Sequence, residues 1–223
     1  MFSCDHAGAV FFDVDGTLVP GTSSSVFLAG FLGHRDELSL AEDAYASGDL
    51  DNRAVSELDA KGWAGASEDQ VSGWLDGLPL VSGITETVDW CRRNGLVPVL
   101  ATLAWTPVGQ YLADRFGFHA FGGPRLETDG DRFTGRVDRH FDEYDKRDVA
   151  LAQARELGVA PRACAAVGDS RSDLPLFASA ALSVAFNASA GARAAATVSV
   201  NGGDLRDVLP ALGRLASGRG GDP

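Results

Sequence analysis

Ala9-Val10-Phe11-Phe12-Asp13-Val14-Asp15-Gly16-Thr17 decides the fold: four apolar residues stop at two carboxylates spaced i and i+2, and a glycine follows. A short apolar run bounded by turn chemistry suits a parallel strand buried on both faces. Successive side chains on a strand alternate faces. Beyond the last ladder bond the chain turns, so both acids can address one crevice at the carboxyl edge of a sheet. Gly16 permits the turn.

The same pattern returns at 96–102, 163–168, 182–186 and 197–200. Helical patterns lie between: Ile84, Val88 and Cys91 share a face, as do Val108, Tyr111, Leu112 and Phe116, and then Val149, Ala152 and Leu157. Strands alternating with helices imply right-handed crossovers, hence an α/β fold with a doubly wound parallel-sheet (Rossmann-like) core. Residues 20–79 break the rhythm, with helical stretches near 23–32, 37–46, 52–61 and 68–75 and no strand. The expected organisation is a catalytic core of 1–19 and 80–217, an inserted small α-helical cap of 20–79, and a flexible tail of 218–223. A cap placed there would stand over the crevice as a lid. Asp129-Gly130 marks the turn of a hairpin near 127–134.

At 223 residues and 45% hydrophobic content the chain can bury one sizeable core. A net charge of -12 leaves no basic stripe to neutralise phosphates, which argues against nucleic-acid and anionic-membrane partners. Cys4, Cys91 and Cys164 fit neither a disulfide framework nor a zinc spacing, and no 18-residue apolar run exists. The expectation is a cytoplasmic protein, monomeric or homodimeric, acting on a small molecule.

Four strand ends or helix starts carry polar groups of complementary kinds: Asp13 with Asp15, Thr102, Lys146, and Asp169 with Asp173. Singly, each has a bland explanation. Asp-x-Asp is often a turn, Thr102 could cap the next helix, a helical lysine is by default solvated, and Gly168-Asp169-Ser170 could be an N-cap. Together they fit one reaction. Four carboxylates in one crevice repel unless a cation compensates, and a few carboxylates suit octahedral Mg²⁺. Phosphoryl transfer needs that metal, a nucleophile, an acid and neutralisation of the equatorial oxygens, the last supplied by Thr102 and Lys146.

With these motifs in view, the chain resembles the haloacid dehalogenase-like phosphatases, specifically the phosphoserine-phosphatase-like branch with a helical cap. The resemblance runs from Val10 to about Asn187: Asp13-Val-Asp-Gly-Thr-Leu18, Thr102, Lys146 and Val167-Gly-Asp169-Ser-Arg-Ser-Asp173 stand in the family's order. It implies that Asp13 is the nucleophile and forms an aspartyl-phosphate, while Asp15 protonates the leaving alcohol and then deprotonates water. It also implies Mg²⁺ at Asp13, the Asp15 backbone carbonyl and Asp169, with Asp173 nearby, and a phosphate loop of Gly16, Thr102, Leu103 and Lys146. The expected activity is that of a phosphoric monoester hydrolase. A phosphomutase using the same aspartyl-phosphate is the enzymatic alternative, and a non-catalytic phosphometabolite-binding module the alternative of a different class. A Schiff-base lysine in the cap would have only Lys61 to draw on.

Two departures bear on the substrate. Leu103-Ala104-Trp105 is bulkier than the small residues usual after the second-motif hydroxyl. Thr22 stands where phosphoserine phosphatases carry a glutamate for the substrate's amino group, which argues against phosphoserine unless Glu37, Glu42 or Glu57 replaces it. Trp63 and Trp105 are better placed than Trp74 and Trp90 to stack on a flat or sugar-like substrate, with core packing as the bland reading. Arg53 could pair with a substrate carboxylate or, the favoured reading, be an exposed salt-bridge residue.

Overall fold

A computed structural model describes residues 6–217; the expected tail of 218–223 and Cys4 lie outside the described residues. Its centre is a six-stranded parallel sheet of β1 (Gly8–Phe12), β2 (Leu96–Ala101), β3 (Phe121–Gly122), β6 (Cys164–Gly168), β7 (Leu182–Phe186) and β8 (Val198–Val200), ordered β3-β2-β1-β6-β7-β8. The apolar run that opened the sequence is the middle strand, with Val10 paired to Pro98 on one side and to Ala165 on the other. The order reverses around β1. The switch point of the sheet therefore lies beside Asp13.

Both faces of β1 are covered, as its unbroken apolar sequence requires. Val10 and Phe12 join a cluster with Ile84 and Val88 of α5 (Ile84–Arg93), Val108 and Leu112 of α6 (Thr106–Phe116) and Leu212 of α10 (Leu209–Ser217). Ala9 and Phe11 face the opposite layer, with Ala150 and Ala154 of α7 (Glu143–Glu156), Leu176 of α8 (Leu174–Phe177) and Ala192 of α9 (Ala190–Ala195). Phe11 and Phe12 have no exposed surface, and truncating either to alanine would cost about 3–5 kcal/mol.

The chain from β1 to α5 is helical: α1 (Ser24–Leu32), α2 (Arg35–Ser47), α3 (Asn52–Gly62) and α4 (Glu68–Leu75). Side-chain caps explain where three of these begin. Ser23 accepts from the Val26 N–H, Asp51 from Ala54, and Ser67 from Gln70 within a capping box. Val26, Ala29, Leu38, Ala41 and Val55 form a small apolar cluster of their own. The hairpin is longer than its sequence signal, with β4 (Arg125–Asp129) antiparallel to β5 (Arg132–Arg139). It packs on the end of α3, where Gly65 N–H donates to the Phe133 carbonyl at 2.9 Å and Trp63 meets the Phe133 ring edge-on at 5.0 Å.

The buried face of α7 is a correction. It runs through Lys146, Ala150 and Ala154, whereas Val149, Ala152 and Leu157 are only half-buried. Alanines let the helix approach the sheet closely, and the lysine at i−4 from Ala150 is carried inward with them. The two-residue edge strand β3 carries too little pattern to be seen in sequence.

Candidate active site

The floor of the site is the carboxyl edge of β1 and β6. Asp13 N–H still donates to the Val167 carbonyl at 2.9 Å, so its carboxylate is fixed where the ladder ends, 3% exposed. Lys146 reaches it through the buried face of α7: Nζ lies 2.8 Å from Asp13 Oδ1, 2.7 Å from Asp173 Oδ1 and 3.4 Å from Ser172 Oγ. A lysine this buried persists only because it is paired. Burial works against its charge, yet Asp13 and Asp173 together hold it above the ordinary lysine range.

Asp173 is an organiser of the loop after β6. Its Oδ2 accepts from the N–H groups of Asp169 at 2.9 Å and Ser170 at 3.0 Å, while Oδ1 takes Lys146. Gly168 is needed beneath it, since a Cβ there would come within 2.1 Å of the Asp173 carboxyl carbon. The loop aims Asp169 across at Thr17, whose hydroxyl donates to Asp169 Oδ1 at 3.2 Å. Gly16 has φ of +81°, and a Cβ on it would lie 2.2 Å from Asp169 Oδ2. Glycine there serves both the turn and the approach of the acid.

Asp13, Asp169 and Asp173 bring carboxylate oxygens within 4.8 Å of one another. Lys146 is the cation bonded there, and the deficit shows in protonation. Burial, with the charges of Asp173 and Asp15, outweighs the lysine and pushes Asp13 up to about 7; burial, with Asp13 and Asp173, pushes Asp169 up to about 8. An oxygen-rich, under-compensated cluster with a glycine keeping one edge open fits a hard divalent cation.

Asp15 points away from this cluster. Its Oδ1 accepts from the N–H of Ser24, the first residue of α1, at 2.6 Å. Burial raises its carboxyl; the Ser24 N–H and Lys146 offset part of the rise, and Asp59 adds to it. A carboxyl inclined to hold its proton thus stands beside one aimed at the aspartate cluster. Thr102 ends β2 with its hydroxyl accepting from Ala104 N–H at 3.0 Å, which fixes the loop through Leu103.

These groups open into a cavity of about 330 Å³ whose lining includes Asp13, Asp15, Gly16, Thr102, Leu103 and Asp169. The helical segment supplies the opposite wall. Thr22 and Trp105 line the cavity as well, whereas Arg53 and Trp63 do not. Arg53 is exposed and pairs with Glu57 at 3.0 Å, because Asn52, Val55, Ser56 and Asp59 take the cavity-facing side of α3. Trp63 has no exposed surface and is packed between Phe133 and Trp105. Lys61 is exposed and absent from the lining. Of the three glutamates, Glu37 is exposed, Glu57 serves Arg53, and Glu42 lines the cavity.

Sequence reasoning passed over Asp59. It is 2% exposed and accepts from His34 Nε2 at 2.7 Å, Trp63 Nε1 at 3.2 Å and Trp105 Nε1 at 2.6 Å. An aspartate on the apolar-facing side of α3, four residues before a tryptophan, was its only local signal. Arg171 is the second omission: Nη1 donates to the Tyr45 carbonyl at 2.7 Å and Nη2 lies 3.4 Å from Glu143, which joins the loop after β6 to α2 and α7.

The model of the haloacid dehalogenase-like hydrolases matches residues 10–178. A phosphoserine phosphatase of a Polaromonas species is 30% identical over 207 residues, spanning 89% of this chain and 86% of that one. Another, from Halobacterium salinarum, is 28% identical over 213 residues, 95% and 98% of the two chains. Among solved structures, a phospho-aspartyl intermediate analogue of phosphoserine phosphatase superposes with a TM-score of 0.83 at 21% identity, covering 92% of this chain and 98% of that one. At that identity the likeness is one of fold. No helix among the described residues is long and apolar enough to cross a membrane.

Proposed function

The chain belongs to the haloacid dehalogenase-like hydrolases, in their phosphoserine-phosphatase-like branch, and is a phosphoric monoester hydrolase; we propose that it dephosphorylates small cytoplasmic metabolites through an aspartyl-phosphate on Asp13, with Mg²⁺ beside it and residues 20–79 as its cap. The observation that carries this is the Asp13 carboxylate held 2.8 Å from Lys146 at the floor of a cavity that Asp15, Thr102 and Asp169 also line.

Asp13 and Asp169, with the Asp15 backbone carbonyl, would hold the cation, and Asp173 would orient them from behind. The cation would neutralise the phosphoryl oxygens and favour ionised Asp13. A free Asp13 oxygen attacks phosphorus, a P–O bond forms to the carboxylate, and the P–O bond to the leaving alcohol breaks. Asp15 gives its proton to the departing oxygen, which its raised affinity for that proton suits. The same carboxylate then takes a proton from water as the water oxygen attacks phosphorus and frees Asp13. Lys146, Thr102 and the backbone at Gly16 and Leu103 receive the equatorial oxygens.

Phosphate release from a panel of phosphate monoesters with Mg²⁺ tests it. Activity is expected with the native chain, and its abolition by EDTA or by Asp13→Asn. An Asp13→Asn variant as active as the native chain would overturn it.

A further inference from the structure

The cavity wall contributed by residues 20–79 contains no lysine, arginine or histidine, and two carboxylates, Glu42 and Asp59. Asp59 is satisfied by its three donors. Glu42 is not: Ser23 Oγ donates to Oε1 at 2.7 Å, and among the described residues no hydrogen bond to Oε2 accompanies it. The one guanidinium on the lining, Arg171, lies 4.7 Å from the centre of the Tyr45 ring and is engaged with the Tyr45 carbonyl and Glu143. Lys146 is likewise committed, to Asp13 and Asp173.

We propose that Glu42 determines specificity by receiving an ammonium group on the leaving alcohol, so that the preferred substrates are phosphate monoesters of small amino alcohols lacking a carboxylate. The proposal rests on the phosphatase reading above and deepens it. A carboxylate on the substrate would meet Glu42 and Asp59 with no free cation on the lining to receive it, and uncompensated like charge in a desolvated pocket is strongly disfavoured. An ammonium would give Glu42 Oε2, the carboxyl oxygen of the helical wall that lacks a hydrogen bond among the described residues, a charge-assisted one. Burial, then the charges of Asp15, Asp59 and Asp43, push Glu42 up to about 8 against the single opposing bond from Ser23, a rise that an ammonium at Oε2 would oppose. The cavity's 330 Å³, shared with the phosphoryl group, lies at the lower end of the range of small-ligand sites.

The test compares O-phosphoethanolamine, O-phosphoserine, glycerol 1-phosphate and p-nitrophenyl phosphate at pH 8 with Mg²⁺. Native kcat/KM for phosphoethanolamine is expected to exceed those for phosphoserine and glycerol phosphate by about tenfold or more, the value of one charge-assisted hydrogen bond. In Glu42→Gln, which keeps an acceptor for Ser23, the ratio of kcat/KM for phosphoethanolamine to that for p-nitrophenyl phosphate should fall by about tenfold, through KM. Glu37→Gln, on the exposed side of α2, should leave the ratio as it is. Equal native rates on phosphoethanolamine and glycerol phosphate, a preference for phosphoserine, or an unmoved ratio in Glu42→Gln would each overturn the proposal. The native comparison stands even if the variant misfolds. No release from any ester, p-nitrophenyl phosphate included, would instead sink the phosphatase reading and this proposal with it.

Discussion

Trp105 Nε1 donates to Asp59 Oδ2 at 2.6 Å, so the residue three positions past Thr102 is tied to α3 on the facing wall of the cavity. Through the same carboxylate, His34 and Trp63 are gathered as well. The loop that holds Thr102 and the helical wall of the cavity are therefore one hydrogen-bonded unit. Asp59→Asn swaps an acceptor for a donor and strands at least one buried N–H. A loss of about 1–3 kcal/mol in the urea unfolding free energy is expected, together with a raised KM. An unmoved urea midpoint would contradict it.

Lys146 lies between Asp13 and Asp173 with no exposed side-chain surface. Removing one member of a buried charge cluster leaves the others unpaired. Lys146→Met should destabilise the chain by about 3–5 kcal/mol and remove activity, read by denaturant unfolding with p-nitrophenyl phosphate turnover. A variant as stable as the native chain would mean that the two acids are neutral when folded.

Asp13 and Asp15 have different surroundings, one held by Lys146 and the other by the Ser24 N–H. Asp13→Asn should cut turnover by at least about a thousandfold and abolish the phosphoenzyme. Asp15→Asn should still bind metal, but slow alkyl phosphates by about 10²- to 10⁴-fold and p-nitrophenyl phosphate much less, because the better leaving group needs less protonation. Equal losses on both esters would remove the acid role from Asp15.

Gly16→Ala would place a Cβ 2.2 Å from Asp169 Oδ2 at a φ of +81°. Asp169 must retreat or the turn must open. Weaker Mg²⁺ binding by calorimetry is expected, with a stability loss of about 1–2 kcal/mol from the left-handed conformation. Native metal affinity in the variant would separate Asp169 from the metal.

Glu42 supplies a pH prediction. Ser23, Asp15, Asp59 and Asp43 are the groups that act on it, and its folded pKa of about 8 lies above its ordinary 4.5. Between those values the folded chain holds a proton that the unfolded chain has released, so stability falls as pH rises through the window. Glu42→Gln removes that slope. Its melting temperature should gain on the native chain from pH 5 to pH 9; a constant difference would show that Glu42 ionises normally when folded.

The strand ends, and with them Asp13, Asp15, Thr102, Asp169 and Asp173, were legible because burial on both sheet faces and turn chemistry are local requirements that leave an unbroken apolar run ending in polar residues. Lys146 was legible from the family's motif order, although the apolar pattern of α7 pointed to a different face. What the sequence by itself determined is thus the strands and the polar groups that stand at the sheet edge. Only the tertiary structure decided which face each helix presents. It turned α3 so that Asn52 and Asp59 meet the cavity while Arg53 meets solvent, chose Glu42 over Glu37 and Glu57, and buried Trp63. The reason is physical: a strand's side-chain directions follow from its period of two, whereas a short helix of mixed composition takes its rotation from whatever packs against it.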